Sequence, residues 1–84
     1  MDNQRGSYRG AEGGDDGSLA TGEIQVERKT FFFALKENAR GAFLRITEDV
    51  GGRRDSIILP ATGLEDFRDQ LNHMIEALER SGNQ

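Results

Sequence analysis

The chain has 84 residues, 35% of them apolar and 31% charged, so it holds one small domain. It has no cysteine and a single histidine, His73, which excludes a disulfide framework, a thiol nucleophile and a cysteine zinc site and leaves little for histidine-based chemistry. A formal charge of −4 argues against indiscriminate binding to duplex DNA, whose usual footprint is a basic domain.

Residues 1–22 carry more than half of the eleven glycines and show no periodicity. Tyr8 and Leu19 are their only large apolar side chains. Such a segment buries too little surface to offset an ordering cost of about 1–2 kcal/mol per residue, which predicts a disordered glycine-rich tail. Arg5-Gly6 and Arg9-Gly10 around Tyr8 are a faint trace of an RGG-type nucleic-acid tail, and a solubilising tail is the plainer reading.

From Glu23 the pattern turns to period two. Ile24 and Val26 share one face of a first strand. Phe31, Phe33 and Leu35 share that face in a second, with Phe32, Ala34 and Lys36 opposite. Leu44 and Ile46 continue the apolar set in a third, with Phe43, Arg45 and Thr47 opposite. Asp55–Leu59 is a fourth strand, with Ile57 and Leu59 inward and Ile58 outward. Alternation of this kind marks an antiparallel sheet with one covered face. The connections agree: Arg28-Lys29 suits a tight hairpin, residues 37–41 form a glycine-ended loop, and Gly51-Gly52 before Arg53-Arg54 is a flexible hairpin tip.

Pro60 ends the fourth strand and a helix follows. Thr62 with Glu65 has the spacing of a capping box, Glu65 and Asp66 suit the positive end of the helix dipole, and Gly82 suits its termination. Leu64, Phe67, Leu71, Met74, Ile75 and Leu78 recur at helical spacing and make one apolar stripe, with His73 nearly opposite on the solvent side and without a chemical role.

The predicted fold class is therefore α+β: four meandering antiparallel strands and one helix covering one face. The predicted divisions are a disordered tail over 1–22, the module over 23–80 and a short disordered end over 81–84. A domain of about 60 residues buries only about 60% of its unfolded surface, and one helix is narrow for four strands. A symmetric dimer is the simplest remedy, a self-sufficient monomer the weaker alternative. No stretch reaches the roughly 18–20 apolar residues of a membrane span, and Met1–Arg9 lacks the apolar run of a secretory signal, so the expected location is cytoplasmic, or nucleoid-associated in a bacterium.

Charge is unevenly distributed. Residues 24–59 hold seven cations against five anions, and residues 64–80 hold two against five. The outward face of strands two and three combines Phe32, Lys36, Phe43 and Arg45, with Asn38 and Arg40 in the joining loop. Single-stranded nucleic acid needs these groups: exposed aromatics stack on bases at about 1–3 kcal/mol each, and cations meet phosphates. The same pattern also suits a second apolar core closed by a partner subunit, and the two readings can hold together, Phe32 in the interface and Phe43 on the nucleic acid. No carboxylate pair, nucleophile–base set or phosphate loop stands out, so neither an enzyme nor a cofactor or metal is expected.

The run from Val26 to Ile46, with Lys36-Glu37-Asn38-Ala39-Arg40-Gly41 between an aromatic strand and Phe43-Leu44-Arg45-Ile46, resembles a PUR repeat, the unit of the Pur-alpha family of purine-rich-element-binding proteins. Residues 58–69, ending in Glu65-Asp66-Phe67-Arg68-Asp69, resemble that family's strand-to-helix segment, so the likeness covers nearly all of 23–80. The resemblance implies a Whirly-like ββββα repeat, two copies of which intertwine by exchanging helices. A chain with one repeat resembles the single-repeat bacterial members and is expected to form that unit as a homodimer. The implied ligands are purine-rich single-stranded DNA or RNA of GGN type, with separation of short duplexes and a role in transcriptional or post-transcriptional regulation.

Carried over by position, Lys36, Asn38 and Arg40 match the family's binding loop, Phe43 its stacking and wedging aromatic, and Arg45 the basic residue beyond it. Arg28 and Lys29 match a turn that also contacts nucleic acid. Ala42 stands where a basic residue is frequent and Ala34 where aspartate is frequent; loss of a cation at 42 lowers phosphate binding and its salt dependence. The alternative reading, favoured by Ala42 and the acidic balance, is a protein-interaction or assembly module that keeps the fold without nucleic-acid binding.

Overall fold

The computed structural model describes residues 17–82. The period-two alternation becomes four strands, β1 (Ala20–Val26), β2 (Lys29–Asn38), β3 (Gly41–Val50) and β4 (Arg53–Pro60), joined as a meander in the order β1-β2-β3-β4. All three pairings are antiparallel.

Each connection is a two-residue hairpin, closed by the pairs Val26–Lys29, Asn38–Gly41 and Val50–Arg53. Gly51 and Gly52, at φ 61° and 90°, supply the two positive dihedrals that a twisted two-residue hairpin favours. Asp49 reinforces that turn, its Oδ1 accepting from the Gly52 N–H at 3.0 Å. The first turn is made by Glu27-Arg28 rather than Arg28-Lys29, and Glu27 is the one non-glycine described residue at positive φ, 57°. The middle connection is tighter than the sequence suggests: strand pairing runs through Glu37–Ala42 and Asn38–Gly41, leaving only Ala39-Arg40 in the loop.

Pairing also extends β1 to Ala20, three residues before Glu23, and the Leu19 N–H donates to the Leu35 carbonyl at 2.7 Å. Backbone ladders need donors and acceptors rather than apolar side chains, so Thr21 and Gly22 join the sheet despite their composition. The tail before residue 17 and the last two residues lie outside the described residues.

The register sets two faces. One carries Ile24, Phe31, Phe33, Leu35, Leu44, Ile46, Ile57 and Leu59, since Ile24 pairs with Phe31, Phe33 with Ile46, Leu35 with Leu44, Leu44 with Leu59 and Ile46 with Ile57. The other carries Phe32, Ala34, Lys36, Phe43, Arg45, Thr47 and Ile58. Both sets are those the alternation predicts.

Pro60, without an N–H, closes the ladder, and Ala61–Gly63 form a 3-10 turn leading into α1 (Leu64–Arg80). The capping box does not form. Thr62 lies inside the 3-10 turn, Gly63 takes the N-cap position, and no side chain caps the helix N-terminus. At the other end, the Ser81 N–H donates to the Ala77 carbonyl at 3.1 Å and Gly82, at φ 75°, donates to Glu79 at 3.2 Å, so glycine ends the helix as expected.

The helix does not cover the sheet of its own chain. Beyond the 3-10 turn it makes no substantial contact with any strand, and none of its residues is buried. The 3-10 turn runs straight into α1, so the helix departs from the β4 edge instead of folding back. Phe67, Leu71, Met74, Ile75 and Leu78 stay 39–54% exposed on α1, as do Ile24 (51%) and Ile57 (55%) on the apolar face of the sheet. Among the described residues none is buried. The module has the layers of a core without a closed core. No helix among the described residues is long and apolar enough to cross a membrane.

Candidate nucleic-acid interface

The face opposite the apolar one is organised in rows by the register. Lys36 pairs with Phe43 and Phe43 with Pro60, so these three lie abreast at the β2–β3 end of the sheet. The next row is Ala34, Arg45 and Ile58. Rows on one face are two residues, roughly 7 Å, apart. Beyond the first row the Ala39-Arg40 turn closes the hairpin.

That turn is shaped by Asn38, whose Oδ1 accepts from the Arg40 N–H at 2.8 Å. This is an Asx-turn, in which a short amide side chain substitutes for a backbone acceptor. The carbonyl oxygen of Asn38 is committed to the hairpin, and its NH2 group is what remains to address a ligand. Gly41, at φ 129°, follows in a conformation that favours glycine. The sequence reading assigns Asn38 only a ligand role; the signal for the structural one is the Asn two residues before the end of a tight turn.

Asn38, Arg40, Gly41, Ala42, Phe43, Ile58 and Pro60 line an open groove of about 440 Å³. Its volume lies within the roughly 300–1,000 Å³ of small-ligand clefts. The floor is apolar, from the half-buried Phe43 with Ile58 and Pro60, and the rim is polar, from Arg40 and Asn38. Arg45, exposed, stands one row further along the same face. An apolar floor with cations at its margin accepts a flat aromatic ring carrying a negatively charged tail. Ile58 and Pro60 belong to the groove because the β3–β4 register sets Pro60 opposite Phe43 and Ile58 opposite Arg45; the predicted meander places the two strands side by side but leaves that register unspecified.

Five of the seven predicted residues, Lys36, Asn38, Arg40, Phe43 and Arg45, therefore gather around one hairpin. Arg28 and Lys29 do not. They lie at the opposite end of β2, about 30 Å along a ten-residue strand. Lys29 sits on the apolar face, where its Nζ is 2.9 Å from Glu48 Oε2. Arg28 is exposed in the first turn.

That far end holds an arrangement the sequence reading misses. On the groove's own face, the Arg54 guanidinium lies over the Phe32 ring, 5.1 Å from its centroid, while Arg54 Nε donates to Asp49 Oδ2 at 2.8 Å. Beside it the Thr47 and Ser56 hydroxyls share a hydrogen bond of 2.8 Å. Among the described residues no group of three or more His, Cys, Asp or Glu side chains is placed to hold a metal ion.

Comparison with known proteins adds to this geometry. The sequence profile of the family described as "PurA ssDNA and RNA-binding protein" matches residues 3–84. The chain is 49% identical over 53 residues to Transcription factor Pur-alpha 1 of Arabidopsis thaliana, covering 63% of this chain and 18% of that protein. It is 31% identical over 96 aligned positions to human Transcriptional regulator protein Pur-beta, covering 96% of this chain and 31% of that protein. With human Transcriptional activator protein Pur-alpha it shares 34% identity over 65 residues, 76% of this chain and 20% of that one. The chain thus spans about a fifth to a third of the length of these curated relatives.

Proposed function

Because the chain belongs to the PurA family of single-stranded DNA- and RNA-binding proteins, we propose that it binds purine-rich single strands, of GGN type, on the face that carries Phe43. The observation that carries this reading is the groove at the β2–β3 hairpin, which joins the Phe43 ring to Arg40 and Asn38. Phe43 stacks on a base. Lys36, Arg40 and Arg45 meet phosphates, and the Asn38 NH2 donates to a base edge or to the backbone. An aromatic at the end of a sheet, flanked by cations, also serves as a wedge between paired strands, which supports separation of short duplexes. The names of the relatives, a transcription factor, a transcriptional regulator and a transcriptional activator, support a role in regulating transcription.

The working unit is a homodimer with exchanged helices. The support is the apolar stripe of α1 and the apolar face of the sheet, which have no cover within one chain. A second copy supplies a stripe for each face and a face for each stripe, closing two layers at once, and leaves both Phe43 faces outward.

A fluorescence-anisotropy titration at two salt concentrations tests the reading, with a GGN-repeat single strand, a pyrimidine single strand and a duplex as probes. The expected result is salt-sensitive binding that ranks the purine strand first. Phe43→Ala is expected to weaken it by about 1–3 kcal/mol while the dimer persists. An unchanged dissociation constant in that variant removes Phe43 from the site. No binding to any probe turns the reading to an assembly module, to which Ala42 in the groove and the net charge of −4 already lend some support.

A further inference from the structure

We infer that Phe32, with Arg54 stacked upon it, is a second base-binding position, so that each chain holds a single strand along β3 from the Phe43 groove to the Phe32–Arg54 pair; this rests on the nucleic-acid reading above. The two aromatics share one face: Phe43 lies in the row of Lys36 and Pro60, and Phe32 in the row of Thr47 and Ser56. The rows are four residues apart on β3, about 13 Å. At the roughly 3.4 Å axial rise per nucleotide of a base-stacked strand, that separation takes about four nucleotides.

The far end is built to meet a base. The Asp49 carboxylate is fixed from both sides, one oxygen taking the Gly52 N–H and the other the Arg54 Nε. The turn therefore holds Arg54 above Phe32 instead of leaving it to wander, on a side chain that stays 62% exposed. A guanidinium plane backed by an aromatic ring is a surface on which a base stacks, with the cation beside its phosphate. Between the two rows lies Arg45, and the Thr47–Ser56 hydroxyl pair stands beside Phe32 in its own row. In that pair one hydroxyl hydrogen is used and the other is left for an acceptor such as a phosphate oxygen.

The test is a length series of labelled GGN-type single strands, about three, six and nine nucleotides long, titrated against the full chain and its Arg54→Met, Phe32→Leu and Phe43→Ala variants at low salt. Arg54→Met and Phe32→Leu are expected to weaken the two longer strands by roughly 5- to 150-fold and to leave the shortest, which when stacked is too short to reach from Phe43 to Phe32, unchanged. Phe43→Ala is expected to weaken all three. If Arg54→Met binds every length as the wild type does while Phe43→Ala loses affinity, the second position is refuted and the Phe43 site stands. Equal weakening at every length also refutes it, since that marks a general charge or folding effect. If the wild type binds no strand, both readings fall together. Should Phe32→Leu fail to fold, the exposed Arg54 variant carries the test alone.

Discussion

Truncating Leu71 to alanine separates a lone folded chain from the dimer. Leu71 lies at the middle of the α1 stripe and is 54% exposed. Full burial of a leucine side chain contributes about 1.5–3 kcal/mol, so in a lone chain the half that is covered bounds the loss at about 1.5 kcal/mol. Alanine keeps the helix propensity, which removes that complication. In a dimer that encloses the stripe, the same truncation opens a cavity costing about 2–5 kcal/mol, and two-fold symmetry counts it twice. The dimer then loses at least about 4 kcal/mol, a thousandfold or more in its dissociation constant. Sedimentation equilibrium over a wide concentration range reads this directly, and the melting temperature gains a concentration dependence. His73→Ala, on the exposed side of the same helix, is the control and is expected to change stability by less than about 0.5 kcal/mol. A Leu71→Ala chain whose dimer dissociates within tenfold of wild type, or a wild type that sediments as a monomer throughout, rules out a dimer that encloses the α1 stripe.

Three further outcomes follow from the turns and the groove. Glu27→Gly relieves a left-handed residue at φ 57°. Relief of about 1–2 kcal/mol, less the 0.4–1 that glycine costs through the unfolded chain, is expected to raise stability by roughly 0.5–1 kcal/mol in denaturant titration. Asn38→Ala is expected to cost about 1 kcal/mol of stability through loss of the Asx-turn, whereas Asn38→Asp keeps the acceptor and the fold but weakens strand binding; equal affinities in Asn38→Asp and wild type would confine Asn38 to the turn. Arg45→Ala is expected to flatten the slope of log affinity against log salt by about 0.7, and an unchanged slope would take Arg45 off the phosphates.

Much of the sheet is legible in the sequence, because a period of two assigns faces without knowledge of the partner strand. Phe31, Phe33, Leu35, Leu44 and Ile46 all lie on the side their alternation predicts. Strand ends are less legible: Ala20–Gly22 enter the ladder by backbone pairing alone. The capping box fails for a similar reason, since a 3-10 turn moves the N-cap from Thr62 to Gly63. Helical periodicity shows that α1 has an apolar stripe but not which surface it meets, and here it does not meet its own sheet. The site follows the same division. Lys36, Asn38, Arg40, Phe43 and Arg45 are close in sequence and stay close across one hairpin. Ile58 and Pro60 enter through the β3–β4 register, and the stacking of Arg54 on Phe32 spans three strands.

The meander has a consequence for how the chain reaches its working form. Every strand pairs only with its neighbour in sequence, through turns of two residues, so the sheet zips locally and fast, hairpin by hairpin, on a microsecond scale. In the proposed homodimer, closing the apolar face through a second copy is bimolecular and far slower. On that scheme a newly made chain first stands as a formed sheet with an open apolar face and two open edges, a state prone to sticking edge to edge. Arg53, Arg54 and Asp55 at one end of the β4 edge and Pro60 at the other make that edge a poor template for further strands, and Glu23 sits midway along the β1 edge. If assembly follows as proposed, these side chains guard the interval before it, a task distinct from anything they do on the finished surface.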